Sequence, residues 1–108
     1  MIADPAAISE HTIDLHAENF KNTRYDGRGF SLSNDTVTAL ERIVCSIQFI
    51  YGARDALPHS ELADRANLVE RLHSHSEFVV VSDTGHWVQY EATADVNRLL
   101  LAFMTASA

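Results

Sequence analysis

The sequence predicts an α/β chain with two parallel strands and flanking helices, and three observations carry that prediction. Two short β-type apolar runs, "SIQFIY" (46–51) and "EFVVVS" (77–82), are separated by about one helix of chain. The segment between them, "HSELADRANLVERLH", repeats apolar residues at three- and four-residue steps. A second helical stripe follows the second run. The order from residue 46 is strand, loop, helix, strand, loop, helix, and a strand–helix–strand unit of this length is expected to be a right-handed parallel crossover. Two strands make a poor sheet in isolation, so the segment reads as part of something larger.

Each element has its own signal. "DPAAISEHTIDLHAENF" reads as a helix, with Asp4 as its cap and Pro5 at the first helical position, where no intrahelical N–H is needed. Its apolar pattern is divided: Ile8, Thr12 and Leu15 line one stripe, and Ile13, Ala17 and Phe20 line another. A helix covered on two sides, or one belonging to a mobile cap, has this pattern. "KNTRYDGRGFSLSND" is a polar loop. A short helix is expected from Asn34 or Asp35, with Val37, Leu40 and Val44 on one face. Gly52 bounds the first strand. In the next helix Leu62, Ala66, Val69 and Leu72 form the apolar stripe. The three valines of "EFVVVS" suit a strand buried on both faces. The last helix carries Val96, Leu99, Leu100, Phe103 and Met104 on one stripe, with Thr93 as its N-cap.

Composition narrows the function classes. At 108 residues, one domain at most is expected, and the 46% of hydrophobic residues suffices for a core. A formal net charge of -7 argues against nucleic acid, whose phosphates want a basic footprint. There is no Lys/Arg cluster for an anionic membrane and no apolar run of about 20 residues to span one. The acidic N-terminus lacks the basic start of a signal peptide. Cys45 is the only cysteine, which excludes an intrachain disulfide and suggests a reducing compartment, the cytoplasm.

Chemistry in an open α/β sheet collects beyond the C-terminal ends of the strands. Asp55 follows the first strand in "YGARDALPH", and His86 follows the second in "VSDTGHW". A parallel crossover puts both ends on one edge of the sheet. There an Asp accepting from one imidazole nitrogen fixes the tautomer and leaves the other nitrogen as a base toward a nucleophile. The plainer alternative is that Asp55 forms a turn and His86 is solvated. Asp83, three residues before His86, is a rival acid, for which a turn role is the better reading. His73 and His75 sit two apart at a helix end with no third ligand, which favours solvated side chains over a metal site. His11 and His16 do not share a helical face well. Cys45 lacks a thiolate-stabilising context and is expected to be packed, and Trp87 and Tyr90 are expected in a core or pocket wall.

"IQFIYGARDALPH", a helix, and then "FVVVSDTGHWVQYEATADVNRLLLAFM" together resemble the C-terminal part of an α/β-hydrolase. In that fold the triad runs nucleophile, acid, histidine along the chain. The resemblance assigns the acid to Asp55, in a G-x-x-D context from Gly52, and the histidine to His86, after Gly85. "GHWVQYE…NRLLLAF" is closest to the branch hydrolysing meta-cleavage products, which splits C–C bonds; Trp87, Glu91 and Asn97 fall on its pattern. The resemblance covers about residues 34–108 as a C-terminal core segment, while 1–33 looks like a cap-like helix and linker. The family's G-x-S-x-G nucleophile turn is missing. The nearest match, "GFSLS" with Ser31, has no strand before it and no second glycine. The resemblance therefore implies a fragment acting on small ester or C–C substrates by Ser–His–Asp chemistry, without cofactor or metal. It carries the acid and base but lacks the nucleophile, so it is expected to be inactive alone. The alternative is a non-catalytic truncated chain. Either way, a homodimer or a chain supplying the missing N-terminal half is expected as partner.

Overall fold

In a computed structural model of the chain, residues 1–25, 35–56 and 61–106 are described. Their contacts divide into two compact units, one of Met1–Ala7 with Val44–Ala108 and one of Ile8–Ile43.

The first unit is built on two parallel strands, β1 (Ile47–Gly52) and β2 (Ser76–Val81). Their register pairs Ile47 with Ser76 and Gly52 with Val81. The parallel pairing is the one expected from the sequence. Residues two apart share a face of a strand, so Phe49, Tyr51 and Phe78 lie together. The Tyr51 and Phe78 rings stack at 5.2 Å and those of Phe49 and Phe78 at 6.1 Å. Helix α3 (Leu62–Leu72) covers this face: the Arg65 guanidinium lies 5.8 Å from the Tyr51 ring centre and donates to its hydroxyl at 3.4 Å. Gln48 points to the opposite face, donating to Glu77 Oε2 at 2.8 Å and to the Leu99 carbonyl at 3.4 Å. That carbonyl belongs to α5 (Thr93–Ala106), which follows the one-turn helix α4 (Val88–Glu91). The two strands thus lie between helices.

The core this produces is small. Val69, Val88 and Val96 are its buried hydrophobic residues among those described, and no described side chain is wholly enclosed. Two expectations are corrected here. β2 is not buried on both faces, because Val80 is 44% exposed. The α5 stripe is only half covered: Val96 is buried, but Leu100 and Met104 face solvent. A sheet of two strands is too narrow to cover both elements.

The N-terminal segment departs from the single expected helix. Asp4 Oδ1 accepts from the Ala6 N–H at 2.9 Å and caps a short 3-10 turn, Pro5–Ala7. In the second unit α1 (Glu10–Asn22) begins separately at Ser9, whose hydroxyl accepts from the Thr12 N–H while Thr12 Oγ1 accepts from the Ser9 N–H. This reciprocal pair satisfies two of the donors that a helix start leaves open. Thr12 is buried, whereas Ile8, Leu15, Ile13 and Phe20, drawn from both expected stripes, are exposed. α2 (Asp35–Leu40) starts at Asp35 and ends before Val44, which is 96% exposed rather than on its apolar face.

Candidate active site at the strand ends

The hydrogen bonding of the sheet continues past the strands and builds the site. The Ala53 N–H donates to the Val81 carbonyl at 2.9 Å, and the Arg54 N–H to the Thr84 carbonyl at 2.8 Å. The chain after β1 is thereby laced to the chain after β2. Asp55 closes a turn, its N–H donating to the Gly52 carbonyl at 3.1 Å. On the other side, Thr84 Oγ1 donates to the Val81 carbonyl at 2.9 Å. Asp83, at φ 58°, supplies the left-handed residue that reverses the chain, a conformation Asp tolerates better than most. This is the turn role expected of Asp83.

Gly52 is required by proximity rather than by an unusual φ. A Cβ there would fall on the carbonyl oxygens of Gly85 and Thr84, both backbone atoms that cannot swing away. The end of β1 and the histidine loop therefore touch backbone to backbone. Their side chains meet just beyond: His86 Nδ1 and Asp55 Oδ2 are 2.9 Å apart. A carboxylate can only accept, so Nδ1 is the donor and Nε2 is left as the basic nitrogen. The Asp55 side chain is 3% exposed and that of His86 is 40% exposed. The carboxylate is held inside the protein, while the imidazole reaches solvent.

The other sequence candidates are dispersed. His73 is not solvated but buried, as the last turn of α3 packs beside β2, and its Nδ1 has no hydrogen-bond partner. His75 is exposed, with its ring centre 6.5 Å from that of His73. Among the described residues no group of three or more His, Cys, Asp or Glu is placed to hold a metal ion. Cys45 is exposed, not packed, because it precedes β1 on a stretch where residues 41–46 are all exposed. Trp87 and Tyr90 meet edge to face at 6.4 Å, with Tyr90 exposed. Thr93 does not cap α5; its hydroxyl bonds back to the Gln89 carbonyl at 2.9 Å, because α4 runs almost directly into α5. Ser31 lies outside the described residues. Glu91 is the residue whose role the sequence did not disclose. It follows His86 by five positions, a spacing that places its carboxylate on the first turn after the histidine loop.

The chain is similar to part of a hydrolase. Epoxide hydrolase A of Mycobacterium tuberculosis is 30% identical to it over an alignment that takes in 94% of this chain and 33% of that protein. The chain thus spans about a third of the length of the curated relative it matches. No family model matches the chain, and no solved structure gives a significant match. Among the described residues no helix is long and apolar enough to cross a membrane.

Proposed function

We propose that the chain contributes the acid–base half of a hydrolytic site, with His86 as general base and Asp55 as the group that orients it. The observation that carries this reading is the 2.9 Å contact between His86 Nδ1 and the enclosed Asp55 carboxylate at neighbouring strand ends. An imidazole held this way takes a proton at Nε2 from an attacking hydroxyl or water and returns it to the leaving group. The likeness to a hydrolase supports the same reading. The nucleophile and oxyanion donors then come from protein outside these 108 residues, which contain no G-x-S-x-G. The substrate is a small molecule with an ester or C–C bond to split, on the α/β-hydrolase pattern and its C–C branch. An epoxide is the second substrate reading, favoured by the named relative.

The partner belongs to the same proposal. The small core and the open faces of Leu101 and Met104 favour a chain that completes its fold against more protein. That protein is the rest of a hydrolase or, in the non-catalytic alternative, a second copy. The test is to substitute these residues for the matching third of epoxide hydrolase A and assay ester and epoxide hydrolysis. Turnover is expected to vanish in His86→Ala and to fall steeply in Asp55→Asn. A folded hybrid whose turnover is indifferent to His86→Ala would overturn the reading.

A further inference from the structure

We propose that Glu91 is a positioning residue for His86, acting through the backbone of Gly85 and of Met1–Asp4; the proposal rests on the acid–base reading of Asp55 and His86. The Glu91 carboxylate divides its two oxygens between two stretches of chain. Oε1 accepts from the Gly85 N–H at 2.8 Å, and Oε2 accepts from the Ala3 N–H at 2.7 Å and from the Asp4 N–H at 3.4 Å. The His86 N–H in turn donates to the Met1 carbonyl at 2.6 Å. These bonds close a ring that runs from Glu91 to Gly85, along to His86, across to Met1, along to Ala3 and back to Glu91. A second tie is helical: the Glu91 N–H donates to the carbonyl of Trp87, the residue after His86, at 3.0 Å.

The ring has little tolerance. A Cβ on Gly85 would collide with the Met1 carbonyl oxygen and come within 2.8 Å of the Ala3 nitrogen and 3.0 Å of Glu91 Oε1. Only a group with two acceptor oxygens on one planar carbon serves both N–H sets. Gln keeps one acceptor and turns an NH2 toward the other donors, and Asp is about one C–C bond, roughly 1.5 Å, too short. The consequence falls on the imidazole. Its side chain is 40% exposed, so packing constrains it little, and its approach to Asp55 depends on where the His86 backbone is held. Without Glu91, the half-buried N–H groups of Gly85 and Ala3 must find other partners. The loop then shifts, and the Nδ1 contact to Asp55 lengthens.

The test reads the ring nitrogens of His86 by 15N–1H correlation spectroscopy on the full 108-residue chain. In the unaltered chain the proton is expected on Nδ1, with two widely separated nitrogen shifts. In Glu91→Gln the two shifts are expected to move toward a common value as the tautomers interchange. Val69→Ala, a core substitution on α3, is expected to lower stability and leave them unchanged. A folded Glu91→Gln chain with unaltered shifts overturns the proposal. A proton on Nε2 in the unaltered chain overturns the acid–base reading and the proposal with it. Where Glu91→Gln does not fold, amide exchange in the unaltered chain decides. Gly85 and Ala3 are expected to exchange at least about tenfold more slowly than an unstructured peptide, and exchange at the unstructured rate overturns the role of Glu91.

Discussion

Asp55 and His86 are 31 residues apart in the chain, and their side chains meet at 2.9 Å. The contact depends on parallel pairing, since only then do the C-terminal ends of β1 and β2 share an edge. It also depends on a short lacing of backbone bonds beyond those ends, from Ala53 to Val81 and from Arg54 to Thr84.

That pair has a measurable coupling. A double-mutant cycle with Asp55→Ala and His86→Ala is expected to give about 1 kcal/mol of favourable interaction, because one partner is enclosed and the other partly hydrated. Chemical denaturation of the four chains supplies the numbers. A coupling within error of zero would mean that the hydrogen bond does not hold the site together.

The strand-end contact at Gly52 sets a steric limit. Gly52→Ala places a methyl group against two backbone carbonyls, and the expected cost is about 1–3 kcal/mol. Thermal unfolding is expected to show a lower midpoint, and the His86 ring signals should lose their Asp55 signature together with it. A variant as stable as the parent would mean that the two loops separate more readily than their lacing suggests.

Catalysis by these residues alone is expected to be undetectable. Most of the rate enhancement of such a site comes from the nucleophile and the oxyanion donors, and a base without them has little to act on. Esterase turnover of the 108-residue chain should therefore match its His86→Ala control. Turnover that survives dialysis and disappears in Ser31→Ala would make "GFSLS" a nucleophile turn after all.

Assembly follows from the narrow sheet. Among the described residues β1 pairs with β2 alone, and its sequence, "IQFIYG", has no charge to discourage a further strand. Light scattering at low micromolar concentration is expected to show a dimer or larger species. Phe49→Lys, which sets a charge in the middle of β1, should shift it toward smaller ones. A monodisperse monomer with cooperative unfolding would sink this expectation.

The cysteine offers the simplest measurement. Cys45 is exposed in the folded chain, so a thiol reagent should titrate it fully without denaturant. Slow or partial reaction would place it back in a packed or associated surface.

The sequence by itself determined the elements and the pair of residues to watch. The short apolar run "IQFIYG", closed by Gly52, and the three- and four-residue steps of Leu62, Ala66, Val69 and Leu72 are local signals and therefore legible. The strand–helix–strand order is enough to bring Asp55 and His86 to one edge, because a parallel crossover aligns the two strand ends. Only the tertiary structure decided what surrounds them. Asp4 is a cap as its sequence suggests, but of the short Pro5–Ala7 turn rather than of a long helix, and the Thr93 oxygen is taken by the preceding helix instead of capping the next. "EFVVVS" and Met104 look buried, but burial needs an opposing surface, and two strands do not supply enough of one. Glu91 shows the same division from the other side. Its spacing from His86 is written in the chain, but its partners, Ala3 and Asp4, lie 88 and 87 residues away and become neighbours only when the chain folds.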